Sequence, residues 1–521
     1  MTREQRWTLI AAILGSGIVF LDSTVVNVAL PRIGRELPSG LFGVLEGQSY
    51  VYNGYLLTVS ALLILAGALN DFYGRKRMFT LGLAGFLATS LLCGLAPNME
   101  LLVLFRVLQG IAGALLVPGS LALLTVTFSG EAQGRAFGLW AAASAATTIL
   151  GPFVGGILVD SISWRAAFLI NVPLLVVALW ATVTFVRESR DEEATGSFDW
   201  LGAFVVALAV GGLSFGAIYG QQREWKDPLG VATLAVGALA TIALPVLMTR
   251  RANPLIPPEL FRSRNFTVTN LSTFLIYGAL YVVGYFLALF VQGTIGFSAA
   301  AAGLGFVPAG LFLVFLSSRF GAFAGKYGPR LFMSIGPAIM TLGILWYARI
   351  PPTMDAWRFT FADPSTYVPP LSYVTDLLPG SLLFGFGISV MVAPLTTALM
   401  TSVPSRNSGV ASAINNAISR VGPQLAGALI FVAITTSFYA GLHARAPQLD
   451  PNDPDVRKTY APLNVVPASP SAAAQRDAST DAFHLAMLIG AAFVAAGALV
   501  NAIGITNRSA PAPAEGANAA A

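Results

Sequence analysis

The chain has 521 residues, of which 55% are hydrophobic and only 11% charged, with a formal net charge of +5. Soluble domains carry about 25% charged residues, so this composition excludes an ordinary soluble protein and points to a chain that crosses a membrane many times. The surplus of Lys and Arg fits cations that fix topology. No basic stripe interleaved with aromatic residues suggests a nucleic-acid surface.

The N-terminal MTREQRWTLIAAILGSGIVFLDSTVVNVAL starts like a signal peptide, but its apolar run outlasts the usual h-region of about 7 to 15 residues. It reads as an uncleaved first span. Windows able to cross about 30 Å of hydrocarbon as helix fall at residues 8–30, 49–69, 79–96, 101–125, 135–159 and 166–186, then at 200–220 and 229–249. Six more lie at 267–291, 300–323, 331–349, 373–400, 407–436 and 482–505. Six, two and six give fourteen spans.

An even number of spans puts both termini on one side. With a cytoplasmic N-terminus, 17 of the 30 Lys and Arg fall inside. Five lie outside once the two long outer loops, where the positive-inside rule carries little weight, are set apart. Both termini are therefore expected in the cytoplasm. Arg106 and Arg420 are the two cations placed within spans.

The expected domains are a six-helix bundle at 1–187, a linker with two inserted spans at 188–252, and a second six-helix bundle at 253–505. The outer segment of about 437–481, rich in Pro, Ala and Asp, has no helical or strand period and reads as a flexible loop. Residues 506–521 read as a disordered cytoplasmic tail. The single cysteine, Cys93, excludes an intramolecular disulfide and lies in an apolar run, as a buried inert thiol would.

A charged interruption at 67–83, GALNDFYGRKRMFTLGL, joins the second and third spans. Gly67 and Gly74 allow close packing and positive φ in a short turn, and Arg75, Lys76 and Arg77 hold it on the cytoplasmic side. Topology gives no reason for Asp71. An acid just past a helix C-terminus faces the negative end of that dipole, so Asp71 needs a cationic partner or the N-terminus of another helix. A degraded copy, GAFAGKYGPRLFM, recurs at 321–333 with Gly325 in place of Asp71. The two halves read as parallel repeats.

These features resemble the major facilitator superfamily, in particular its fourteen-span drug:proton antiporter branch (EmrB/QacA-like). The loop motif of that family matches at Gly67, Leu69, Asp71, Gly74, Arg75 and Lys76 and departs at Asn70 and Phe72. LDSTVVNVALPRIGREL at 21–37 is similar to the first-span signature, with Asp22 in the acidic position. RVLQGIAGALLVP at 106–118 matches the fourth-span motif at Arg106, Gln109 and Gly110. GLWAAASAATTILGPFVGG at 138–156 resembles the fifth-span antiporter motif at Gly138, Gly151, Pro152, Gly155 and Gly156, with Thr147 replacing an expected Gly. NPLIPPELFRSRNF at 253–266 and FDWLG at 198–202 also resemble the branch. The resemblance implies an all-α membrane protein of two six-helix bundles plus an inserted pair, alternating access to a central cavity. It further implies multidrug efflux driven by a proton gradient, with no other cofactor, across a bacterial plasma (inner) membrane.

Asp22 is the only acid placed deep within a span, about 4.5 Å beyond the midpoint at 1.5 Å per residue. An ionised Asp there costs about 2.5 to 3.5 kcal/mol on the insertion scale, so it should face a cavity or a partner. Arg106, about 6 Å away in depth, is within reach. The expected role is proton loading on Asp22 with Arg106 tuning its affinity; a structural ion pair is the competing reading.

Gly151 and Gly155 form a small-xxx-small face, and Pro152 removes a helical hydrogen bond. Candidate cavity residues are Tyr52, Asn53, Tyr55 and Gln109 in the first half and Tyr281, Tyr285, Gln292, Asn416 and Arg420 in the second. Their aromatic faces suit lipophilic cations, although interface belts and helix-to-helix hydrogen bonds use the same residue types. No His/Cys cluster has metal-ligand spacing, and GAFAGK at 321–326 lacks phosphate-loop spacing. A membrane-embedded enzyme would need nucleophile, base or metal ligands at common depth, and the spans offer one acid and no His. The expected cargo is a lipophilic or amphipathic small molecule, with export of lipid, siderophore or an endogenous metabolite as the alternative.

Overall fold

The computed structural model describes residues 1–40, 44–190, 198–222, 225, 227–251, 253–360, 363–466 and 469–507, and these are helical almost throughout. The expected tail beyond residue 507 lies outside the described residues. The first half comprises α1 (Arg3–Glu36), α2 (Val44–Tyr73), α3 (Arg75–Gly94), α4 (Met99–Thr127), α5 (Gly130–Ser161), the short α6 (Ala166–Leu169) and α7 (Asn171–Phe185). An extra pair follows, α8 (Trp200–Gln222) and α9 (Pro228–Arg250). The second half comprises α10 (Arg264–Leu289), α11 (Ala299–Tyr327), α12 (Arg330–Tyr347), α13 (Leu378–Thr401), α14 (Ser408–Arg445), the short α15 (Pro454–Thr459) and α16 (Ala472–Gly504).

Thirteen of these helical segments, α6 and α7 counted as one, are long and apolar enough to cross a membrane. α5, at 32 residues, supplies the fourteenth crossing. Both described ends therefore lie on one side, called here the terminal face. Helix starts carry ordinary caps. Thr2 and Gln5 bond reciprocally at α1, and Asn98, Ser263 and Ser298 cap α4, α10 and α11 through their side chains.

One large buried apolar cluster fills the first bundle and runs across its contact with α13 and α14, and a second fills the second bundle. α8 packs on α2 and α14, one helix from each bundle, and α9 packs chiefly on α8. Gly212 against Gly237 and Gly216 against Leu234 leave no room for a Cβ between that pair.

The bundles meet near the terminal face along two pseudo-equivalent seams. On the first, a Cβ at Gly67 of α2 would stand 2.5 Å from the Gly409 carbonyl and from Ala413 on α14. On the second, a Cβ at Gly321 of α11 would stand 3.0 Å from the Gly134 carbonyl on α5, and one at Gly138 would stand 2.5 Å from the Ser318 backbone.

The repeat read from the sequence extends to its turns. Gly74 joins α2 to α3 with φ +109° and Gly328 joins α11 to α12 with φ +88°, conformations that favour glycine. The Glu188 carboxylate accepts from the amides of Lys76 and Arg77 at 3.0 Å. Asn507 accepts from the Arg330 amide at 3.2 Å in the equivalent place. Each half thus caps its third helix with the residue that follows its sixth.

The outer segment 437–481 differs from the flexible loop expected. α14 runs on to Arg445 and α16 begins at Ala472. Between them Leu463 is 2% exposed, its amide donates to Ser479 Oγ at 3.2 Å, and the Val465 amide donates to the Gly293 carbonyl at 2.8 Å. Tyr439 donates its hydroxyl to the Tyr460 carbonyl at 2.9 Å. A few apolar anchors among prolines seat the segment on the second bundle, a pattern that average composition and periodicity do not register. Hydrogen exchange at Leu463 and Val465 is predicted to be slow, as in the helices; exchange at the rate of a free loop would contradict this packing.

Candidate functional site

Three arrangements position the functional side chains. The first is a sealed polar cluster inside the first bundle. Asp22 on α1 and Arg106 on α4 pair directly, Oδ2 to Nη1 at 2.5 Å, and both side chains are 0% exposed. Gln109, one turn along α4, accepts from Arg106 Nη1 at 2.6 Å and donates to Asp22 Oδ1 at 3.3 Å and to Ser90 Oγ at 2.9 Å. Asn171 at the start of α7 donates to Asp22 Oδ1 at 3.0 Å. Arg106 Nε donates to the Val51 carbonyl of α2 at 3.1 Å, and its guanidinium lies 4.1 Å from the Tyr55 ring centroid. Tyr55 in turn donates to the Val19 carbonyl at 3.1 Å.

Five helices are thereby tied to one neutral ion pair. Among the described residues Arg106 Nη2 and Asn171 Oδ1 have no protein hydrogen-bond partner. Of the two options open for Asp22, the structure gives a partner rather than a cavity wall.

The second arrangement is the loop at the terminal face. Asp71 lies within the last turn of α2, not just beyond it. Arg75 donates to Asp71 Oδ1 from Nε at 3.0 Å and from Nη2 at 2.8 Å. The other carboxylate oxygen accepts from the Val410 amide at 3.0 Å, at the N-terminus of α14. Arg75 Nη2 also donates to the Arg406 carbonyl at 3.2 Å. Asp71 therefore has both kinds of partner that its position demanded, and it joins the two bundles through the positive end of a helix dipole. Gly409 is required beside it, because a Cβ there would stand 2.7 Å from Asp71 Oδ2. Lys76 donates Nζ to the Val183 carbonyl at 2.9 Å.

The third arrangement is a cavity of about 230 Å³ between the bundles. Phe20, Leu121, Trp140 and Ser144 line it from the first half, and Tyr277, Tyr281, Val392, Thr396, Asn415 and Asn416 from the second. Its walls are largely aromatic and aliphatic with amides at one pole. Tyr277, Tyr281 and Tyr285 recur every four residues along one face of α10. Of these, Tyr277 and Tyr281 line the cavity.

Of the expected cavity residues, Tyr281 and Asn416 line this space. Tyr55 and Gln109 do not; they belong to the sealed cluster, because α2 and α4 turn those faces toward Asp22. Tyr52, Tyr285 and Arg420 are outside the cavity lining, Tyr285 one turn beyond Tyr281 on α10 and Arg420 one turn beyond Asn416 on α14. Asn53, beside Tyr52, is outside the cavity lining. Gln292 is exposed on a π-turn over Phe290–Ile295, away from the cavity. Asn415 donates to Asn270 and Thr273 on α10 at 3.1 and 2.9 Å, a helix-to-helix bond.

In α5, Gly151 and Gly155 sit against Thr24 and Val25 of α1, one turn from Asp22, while Gly138 faces the second bundle. Pro152 and Gly156 fall within α5, and their surroundings lie outside the described residues. Sequence reasoning missed Asn171, Ser90, Glu188, Phe20 and Trp140. Only Asn171 gave a usable signal, as an amide opening an apolar span.

The chain matches the family model described as Major Facilitator Superfamily over residues 12–427. It is 30% identical over 473 residues to the multidrug resistance protein Stp of Mycobacterium tuberculosis, covering 91% of this chain and 83% of that one. It is 32% identical to the puromycin resistance protein pur8 of Streptomyces alboniger, with 85% and 84% covered. The tetracenomycin C resistance and export protein of Streptomyces glaucescens is 29% identical, with 95% and 90% covered. Among solved structures, the human organic anion transporter MFSD10 (TETRAN) superposes with a TM-score of 0.57 at 14% identity, covering 95% of this chain and all of that one. At that identity the likeness concerns the fold alone.

Removing one member of the buried pair leaves the other charge uncompensated. Asp22→Ala is predicted to destabilise the protein by about 3 to 5 kcal/mol, read by thermal or denaturant unfolding in detergent. Asp22→Ala combined with Arg106→Met is predicted to recover part of that loss. A single variant as stable as the parent would contradict the pairing.

Proposed function

Because the chain belongs to the major facilitator superfamily, we propose that it exports amphipathic small molecules in exchange for protons, by alternating access of two bundles to the cavity between them. The observation that carries this reading is the cavity itself. Both halves build it, its walls are apolar with an amide pole, and it is closed toward the terminal face by the Gly67–Gly409 and Gly134–Gly321 seams. The names of the relatives, resistance and export proteins of bacteria, support drug efflux. The bacterial relatives support a plasma (inner) membrane location, and the cation bias supports placing the terminal face in the cytoplasm.

In this reading Asp22 is the proton carrier. With Asp22 ionised, its cluster is neutral and can stay dry. Protonation leaves Arg106 as a lone buried cation, which is costly, so proton uptake favours an arrangement in which Arg106 gains another partner or water.

α2 transmits that change. Its Val51 carbonyl and Tyr55 ring hold Arg106, and its Gly67 and Asp71 form the seam with α14. Asp71, Arg75 and the α14 N-terminus act as the latch. Glu188, by capping α3, fixes the turn that carries Arg75 and Lys76. The Gly151 and Gly155 face keeps α5 tight against α1 beside the proton site.

In vesicles reconstituted with the protein and loaded with a pH-sensitive dye, an amphipathic test compound is predicted to drive proton movement that Asp22→Asn abolishes. Undiminished coupled flux in the variant would remove Asp22 from the mechanism.

A further inference from the structure

We propose that Arg420 recognises an ionised acidic group, a carboxylate on an amphipathic body, and so sets the charge class of the cargo. This rests on the export reading above and narrows it.

Arg420 stands 12 residues into α14, about 18 Å from its start at 1.5 Å per residue, and one turn past the cavity residue Asn416. The other two charged groups named deep within spans, Asp22 and Arg106, are committed to each other. Among the described residues Arg420 has no ion pair, hydrogen bond or ring contact. It is half-buried, next in the chain to the cavity residue Ser419 and on the same helical face as Asn416.

A guanidinium kept at this depth without a protein carboxylate is costly. Among the described residues no acid lines the cavity to offset the Arg420 charge. A guanidinium presents a planar fork of donors that fits a carboxylate in two parallel hydrogen bonds. The tyrosine hydroxyls can donate a further bond and the cavity walls can take an apolar body. A lipophilic cation would meet repulsion at the same point, in a medium that screens it poorly. The charge beside the aromatic faces favours an anion over a cation at this point.

The test uses three probes on one naphthalene body: the acetic acid, its amide and the matching amine. Binding to the purified protein is measured by equilibrium dialysis, and uptake by inside-out phosphatidylcholine vesicles. The acid is expected to bind the parent protein about tenfold tighter than the amide, a 1.4 kcal/mol difference, and the amine most weakly. Arg420→Gln should bring the acid-to-amide ratio to near one, Arg420→Lys should retain part of it, and Arg420→Glu should reverse the order of acid and amine.

Equal binding of acid and amide by the parent would overturn the proposal without reference to any variant, as would a ratio unchanged in Arg420→Gln. A lipid phosphate offers related chemistry. If added phosphatidylglycerol displaces the acid from the parent protein, the guanidinium serves a lipid headgroup and the assignment to cargo fails. Selective binding of the acid with no uptake of any probe would sink the export reading and leave the carboxylate site standing. Equal uptake of all three probes with equal binding would do the reverse.

Discussion

A charge taken into hydrocarbon must keep an opposite charge, a hydrogen-bonding shell or water beside it, and this constraint organises the molecule around Asp22 and Arg106. Asp22 sits in α1, Arg106 in α4, and the pair is completed by amides from α4 and α7 and a backbone carbonyl from α2. No member can change its charge without changing the bonding of the rest. One proton added to Asp22 converts a neutral, dry cluster into a buried cation. The same helix that shields Arg106 carries the seam to the second bundle, so a local proton event has a mechanical route to the contact that closes the cavity.

The two seams are pseudo-equivalent in packing but not in charge. Gly67 on Gly409 and Gly321 on Gly134 share the geometry of two helices touching through glycine. Asp71 then adds a carboxylate against the α14 N-terminus, whereas Gly325, its counterpart, has nothing within 4 Å of where a Cβ would stand. The α2–α14 seam thus adds to its packing two hydrogen bonds, from the Val410 amide to Asp71 and from Arg75 to the Arg406 carbonyl, made by an ion pair of the first bundle at a helix N-terminus of the second, and the α5–α11 seam is held by packing. The extra helix α8 lies on the charged seam and touches both of its helices. An alternation between two bundles with one polar seam and one apolar seam would be asymmetric in what each must break.

Much of this was legible in the residues. Asp22 and Arg106 stood out because ionised groups are rare in apolar spans. Asp71 stood out because an acid at a helix C-terminus demands a partner, and it has both kinds named. Gly74 was readable from the short turn it had to make.

The residues that escaped did so for physical reasons. Ser90 reaches Gln109 through packing of helices distant in sequence, and nothing local in a Ser distinguishes such a bond from an ordinary one; Asn171 shows in the sequence only as an amide opening an apolar span, with no sign that it reaches Asp22. Phe20 and Trp140 look like core or lipid-facing aromatics until the helices are placed. Tyr55 and Gln109 were read as cavity residues because depth alone does not say which way a helix face turns. The outer segment escaped because Leu463, Val465 and Tyr460 anchor it singly, without a period.

The central claim is that Asp22 changes protonation when cargo binds. Infrared difference spectroscopy on the reconstituted protein reads this directly, through the carbonyl stretch of a protonated carboxylic acid. The account predicts a carboxylic-acid band that changes on cargo binding in the parent protein and is missing in Asp22→Asn. An Asp22 that stays ionised with and without cargo, its band the same in both states, would contradict it.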